Sequence, residues 1–275
     1  MLVRKHYKKI AKILVVFSLL LNGVFILKAH SANIYVYNDD GVSEESLAQT
    51  IATFHQYLGA KYAIKSLSAA QVKKGMWVKD AAAFIMPGGA DLPYATKLNG
   101  LGNKNIKKYV KNGGVYIGIC AGAYYAASYV EFDKGGKIEV LGNRELKLFQ
   151  GKAIGPILAP YNYATNSGSI AAEITTIFKN IPIAHIYYNG GGFFESNNNF
   201  PNTKVIAQYA KNKLPAIVFI NYGQGKVLLS GVHFEYDTNT LPAKDKHTKN
   251  VIAVLGRYAA DRKSLVNSLL GTLSL

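Results

Sequence analysis

An α/β fold, with a mostly parallel sheet covered by helices on both faces, is predicted by three observations along this 275-residue chain. Strand-like apolar runs alternate with helix-like segments from residue 33 onward, the pattern that βαβ units produce. One of those runs, Ala82-Ala83-Phe84-Ile85-Met86, is continuously apolar, as a strand covered on both faces must be. Two of the runs lead directly into glycine-bearing turns, and in a parallel sheet such turns gather along one edge, where sites form. With 49% apolar and 17% charged residues the chain is not of a disordered class, and its length suits one large α/β domain or two small ones. No internal repeat and no linker interrupts residues 33–275.

Taken in order, Asn33 to Tyr37 predicts the first strand, followed by the acidic turn Asn38-Asp39-Asp40-Gly41. Ser43 is placed to cap a helix running to Leu58, with Glu44 and Glu45 in its first turn. Tyr62–Leu67 is a second strand and Ala82–Met86 a third. Asn103–Lys111 reads as a basic amphipathic helix ended by Asn112-Gly113-Gly114, and Val115–Ile119 as the next strand. Residues 131–200, richer in Gly, Asn and Tyr, suggest antiparallel strands and loops around a site. Strands near Ala216–Ile220 and Lys226–Ser230 are joined by a hairpin-like turn, and a helix from about Lys244 to Tyr258 or beyond closes the domain.

The formal charge is +16, unevenly placed: Arg4, Lys5, Lys8, Lys9, Lys12 and Lys28 precede residue 32 with no acid among them, which leaves about +10 beyond it. The arginines number four (Arg4, Arg144, Arg257, Arg262), and no basic–aromatic motif is concentrated anywhere, so no specific nucleic-acid partner is expected. The basic start precedes an apolar run from Ile13 to Leu27, and Ala29-His30-Ser31 offers a cleavage site before Ala32. Residues 1–31 therefore read as a signal peptide, or alternatively as an uncleaved membrane anchor, although the apolar run is shorter than the roughly 20 residues a bilayer needs. Either reading expects an exported protein, periplasmic or secreted, that touches a membrane only through this segment.

Cys120 is the single cysteine, and it lies in Gly118-Ile119-Cys120-Ala121-Gly122 directly after a strand. That is the pattern of a nucleophile elbow with sulfur in place of a serine hydroxyl. A thiol at a helix N-terminus sees the positive end of the helix dipole, which favours thiolate. The bland alternative is a small buried hydrophobe, although a lone thiol kept outside the cytosol is less expected for packing alone. Pro87-Gly88-Gly89, at the end of the third strand, can aim backbone N–H groups into one concavity and bind an oxyanion, or be an ordinary tight turn. Ser230-Gly231-Val232-His233-Phe234-Glu235 follows another strand, and there His233 can serve as base with Glu235 to orient it. His185 is the other credible base.

Together and in this order, these segments resemble the class I glutamine amidotransferase superfamily, and more closely its branch found as the N-terminal domain of biotin–protein ligases. The match rests on Pro87–Tyr94, Gly118–Ala126, Val130-Glu131-Phe132 and Tyr187-Tyr188-Asn189-Gly190-Gly191-Gly192, and it covers roughly residues 33–260. The resemblance implies a flavodoxin-like fold over residues 32–275 and a Cys-His-Glu triad of Cys120, His233 and Glu235. It also implies an oxyanion hole at Gly88, Gly89 and Ala121. Asp91, Tyr94, Tyr124, Tyr188 and Asn189 are candidate substrate contacts in a polar–aromatic site, with packing around the elbow as the alternative for about half of such residues. Phe234 stands where the amidotransferase pattern usually has proline, a change expected to alter loop stiffness more than chemistry. No acceptor domain follows, and the Gly-Arg-Gly-Arg type loop of a biotin ligase is absent, so biotin ligation by this chain is not expected.

Two readings of function stand: a cysteine-nucleophile hydrolase or transferase acting on a small amide or acyl compound, or a catalytically inactive small-molecule-binding module of the same fold. Neither expects a cofactor or a metal. The leader reading has a direct test: N-terminal sequencing of mature protein is expected to begin near Ala32, on material from the periplasm or cell exterior. Membrane-bound material that returns Met1 would contradict cleavage.

Overall fold

Strand β1 (Asn33–Tyr37) sends Ile34 and Val36 into one apolar cluster and Tyr35 and Tyr37 into another, so both of its faces are covered. The computed structural model describes residues 32–196, 202–243 and 245–275; the expected leader and Lys244 fall outside them. After β1 come α1 (Glu44–Leu58), β2 (Ala63–Leu67), α2 (Ala69–Lys74), β3 (Ala81–Met86), α3 (Asp91–Leu98) and α4 (Leu101–Lys111). Then follow β4 (Val115–Ile119), α5 (Ala121–Ala126), β5 (Ala127–Phe132), β6 (Val140–Asn143), β7 (Phe149–Gly155), β8 (Ile170–Thr176) and β9 (Ile183–Tyr188). The chain closes with β10 (Phe193–Glu195), β11 (Thr203–Tyr209), β12 (Pro215–Tyr222), β13 (Gly225–Ser230), α6 (Lys246–Arg257) and α7 (Ala259–Leu273).

The main sheet has nine strands in the order β2-β1-β3-β4-β13-β12-β11-β8-β9. Its first five are mutually parallel, as the β–α alternation implies, and the rest extend it by antiparallel pairing. Helices cover both faces of the parallel block. Phe54 and Leu58 of α1 and Leu265, Val266 and Leu269 of α7 pack with Ile34, Ile85 and Ile117, while Leu98, Ile106 and Val110 lie with Phe84 and Tyr116 on the other side. A second sheet, β10-β7-β5-β6, is formed within residues 127–195; antiparallel strands were expected there, but its central pair β5–β7 is parallel and only the two outer pairs are antiparallel. Its Val130, Phe149 and Phe194 join the cluster on the α3–α4 face.

Local signals held at most boundaries. Ser43 caps α1 by accepting from Ser46 N at 3.4 Å, and β12 and β13 form the expected hairpin. The helix expected from about Lys244 to Tyr258 is α6, with Asp245 capping it by accepting from Thr248 N at 2.7 Å; beyond the break at Tyr258 the chain continues as a separate helix, α7.

The elbow depends on close backbone approach. A Cβ added to Gly122 would lie 2.1 Å from Met86 O, and one on Gly118 would lie 2.5 Å from Gly122 O. Gly122→Ala is therefore expected to lower stability by ~1–3 kcal/mol in urea denaturation, as overpacking does. By contrast Gly256→Ala, in α6 with nothing within 4 Å of the added carbon, is expected to be neutral or slightly stabilising.

Candidate active site

Strands β3, β4 and β13 are adjacent and parallel, so the three loops that follow them open on one edge of the sheet. Pro87-Gly88-Gly89, Cys120 and His233 thereby meet. Cys120 has φ 49° and ψ −109°, a left-handed backbone that a side chain adopts at a cost. Its N–H donates to Ser230 O at 2.8 Å, and its carbonyl accepts from Ala123 N and Tyr124 N at 2.9 Å each, which holds the strained turn. The thiol is buried, with Sγ 3.9 Å from Asn189 O.

His233 and Glu235 are buried together, with His233 Nδ1 2.8 Å from Glu235 Oε1. Nδ1 carries the proton in that contact, which leaves Nε2 as the ring nitrogen free to exchange one with a thiol. Desolvation works against a charged imidazole here. The Glu235 carboxylate and then Cys120 outweigh it, and the His233 pKa is pushed up to about 10. Gly88 keeps the group close, since a Cβ there would lie 2.9 Å from His233 Cε1 and 3.4 Å from Cys120 Cβ.

The Gly88–Gly89 loop corrects one expectation. Gly88 N–H already donates to Ser46 Oγ at 2.9 Å, so it is not available to an oxyanion. Gly89 N–H and Ala121 N–H have no acceptor among the described residues, and both residues line the space beside Cys120. Gly89 reaches that position at φ 146°, where an added Cβ would be 2.0 Å from Gly41 O.

Of the candidate substrate contacts, Tyr94 and Tyr188 take the packing alternative. Tyr94 is fully buried, and its hydroxyl lies 3.2 Å from both Pro87 O and Gly88 O, bracing the loop from behind. Tyr188 is equally buried; its hydroxyl donates to Gly191 O at 2.8 Å and accepts from Ile157 N at 2.9 Å. Asp91 and Tyr124 line a narrow slot beside Cys120, together with Val130, Phe132, Tyr161 and Tyr163. Asn189 lines a wider cleft of about 540 Å³ that also reaches Cys120 and His233. His185 is stacked on Tyr258 at 3.7 Å and lies in a separate cavity that Cys120 does not line.

Residues with no sequence signal complete the site. Ser46, in the first turn of α1, bridges the loops by donating to Glu235 Oε1 at 3.3 Å while accepting from Gly88 N. Arg262, on α7, donates to Phe234 O and Glu235 O at 2.9 Å each, to Thr53 Oγ1 at 2.6 Å and to Asp237 Oδ2 at 3.1 Å. Thr53 Oγ1 in turn donates to Glu235 O at 2.6 Å. No group of three or more His, Cys, Asp or Glu among the described residues is arranged to hold a metal ion.

The topology and the elbow define a class I glutamine amidotransferase-like α/β protein. Within that class, the chain belongs to the family described as Biotin-protein ligase, N terminal, which it matches over residues 32–275. It is 33% identical over 232 residues to a biotin–protein ligase of Schizosaccharomyces pombe, covering 82% of this chain but only 37% of the ligase. An uncharacterized protein of Chlamydia muridarum is also 33% identical, over 79% of this chain and 88% of its own length. Among solved structures, a thua-like protein from Bacteroides uniformis shares the fold at TM-score 0.50 and 12% identity, over 85% of this chain and 92% of that one.

The raised His233 pKa, set by Glu235 and then Cys120, makes stability depend on pH. Below the ordinary histidine value of 6.5 the folded and unfolded chains both hold the proton, and the contribution of the shift is complete. As pH rises through 6.5 toward about 10, only the folded state keeps the proton, and the contribution is progressively lost. Urea midpoints of wild type are expected to fall over that window by more than those of His233→Asn, a difference on the order of a few kcal/mol. Parallel curves would contradict the pairing.

Proposed function

We propose that this protein is a cysteine-nucleophile hydrolase or transferase acting on a small amide or acyl compound. The observation that carries the proposal is the convergence, on one sheet edge, of a strained buried thiol, a carboxylate-bound histidine and two uncommitted backbone N–H groups. In this reading Cys120, deprotonated to His233, attacks the acyl carbon through Sγ, and the carbonyl electron pair moves onto oxygen. Gly89 N–H and Ala121 N–H receive that oxyanion. Collapse of the adduct expels the amine, which takes its proton from the His233 imidazolium and leaves a thioester on Cys120. Water, or an acceptor amine in a transferase, then gives a proton to His233 as it attacks the thioester, and the thiolate departs. Glu235 holds the imidazole in one tautomer throughout. Biotin ligation is no part of this proposal, since the chain matches only 37% of the ligase it resembles. Action outside the cytosol is part of it, on the strength of the leader-like segment before Ala32.

Iodoacetamide is expected to alkylate Cys120 in the native protein, and His233→Ala to slow that reaction at least tenfold. In a hydrolysis screen across glutamine, peptide amides and thioesters, Cys120→Ala is expected to abolish turnover while leaving ligand affinity within about tenfold. Reaction of the thiol only after unfolding would end the enzyme reading. Equal background release from wild type and Cys120→Ala, with thermal shifts in both, would favour a binding module instead.

A further inference from the structure

Beside Cys120 the molecule holds a buried ion pair that the reaction as drawn leaves unused. Asp91 Oδ2 accepts from Arg144 Nε at 2.6 Å, and the two side chains keep only 10% and 4% of their surfaces open. Arg144 Nη1 also donates to Gly142 O and Asn143 O, at 3.1 and 3.2 Å. Arg144 Nη2 is buried with no partner among the described residues. Acid in the first turn of α3 suits the helix dipole, but that alone does not explain an arginine buried against it with one nitrogen unpaired. Burying such a pair is costly, and an apolar pair of similar volume often serves stability as well or better.

The surroundings indicate what the pair serves. Asp91, with Arg144 behind it, lines a slot that also holds Cys120, Gly89 and Ala121, where the reacting carbonyl would lie, and whose walls include Tyr124, Val130 and Phe132. Burial raises the Tyr163 pKa, and the charges of Asp91 and then Cys120 raise it further, so both groups act on a phenol at the wall of this slot. Free room inside is only about 30 Å³, enough for about two or three water-sized groups and too little for a ring. Asp91 Oδ1 has no partner among the described residues and is not among the fully buried orphan atoms, so it stays reachable. Arg144 offsets the charge of Asp91, which leaves Oδ1 suited to an uncharged donor.

Building on the cysteine-nucleophile reading, we infer that the slot selects a short, unbranched acyl chain ending in a neutral N–H or O–H donor, which Asp91 accepts. Arg144 is a positioning residue that turns the carboxylate toward the chain. The donor requirement gives the site its specificity, because a substrate lacking the donor leaves a carboxylate oxygen desolvated and unpaired.

The test uses three chloromethyl ketones of equal chain length, ending in a primary carboxamide, a methyl ketone or an ammonium group. Alkylation of Cys120 in the full chain is followed by mass spectrometry. Wild type is expected to react with the carboxamide at least about tenfold faster than with the other two, the advantage of one hydrogen bond to a charged group. In Asp91→Asn the amide oxygen can keep the Arg144 contact and turn its NH₂ into the slot, so the carboxamide advantage should fall to within about twofold. Equal wild-type rates, an ammonium preference, or an undiminished advantage in Asp91→Asn would each overturn the inference while leaving the thiol reading intact. The wild-type comparison decides even if the variant fails to fold. Failure of all three probes at a native thiol, with reaction only after unfolding, would overturn the thiol reading and this inference with it.

Discussion

Parallel pairing of β3, β4 and β13 is the constraint on which the rest of the site depends. Because the three strands run the same way, the loop after each must leave from the same edge. Segments far apart in sequence, at residues 87–89, 120 and 233–235, are thereby brought within side-chain reach. Registers of Met86 with Gly118 and of Ile119 with Ser230 set the strands level, and Ser230 O then receives the Cys120 N–H. A slip of one residue would exchange the buried faces of the strand and carry the loop out of reach.

What the sheet brings together, buried polar ties make rigid. Phe234 stands between His233 and Glu235, so the loop lacks the stiffening of a proline there. The stiffness is supplied from outside, by Arg262 reaching across from α7 to bind the Phe234 and Glu235 carbonyls. Ser46 performs the matching task between the Gly88–Gly89 loop and Glu235. Such groups contribute more through geometry than through net stability, since each hydrogen bond replaces one to water. They fix where the imidazole stands relative to the thiol.

Legibility of the site followed the range of each contact. Cys120, His233 and Glu235 each sit in a short segment after an apolar run, so local pattern singled them out as candidates, and the structure places Cys120 and His233 on one cleft. Tyr94 and Tyr188 sit in equally suggestive motifs, yet their rings point into the protein and hold backbone carbonyls and amides. Nothing in a motif says which way a tyrosine faces. Gly88 likewise could be read as an oxyanion donor until Ser46, 42 positions earlier, was seen to take its N–H. Of the four arginines, Arg144 and Arg262 are buried at the site, a fact invisible in a count that treats all four as scattered surface charge.

By itself, the sequence determined the parallel core and the order of its motifs. Strand burial, the Ser43 cap and the hairpin joining β12 to β13 are all local or periodic properties. Only the tertiary structure decided the four-strand antiparallel extension, the second sheet and the break at Tyr258. It alone also put His233 on the cleft that Cys120 lines and His185 on a separate one. The physical reason is that these depend on which surfaces remain to be covered after the core forms, and on hydrogen-bond partners drawn from distant elements. Glu235 illustrates both sides: its place two residues after His233 is written in the chain, while the Ser46, Thr53 and Arg262 contacts that hold it exist only once α1 and α7 have packed against the sheet.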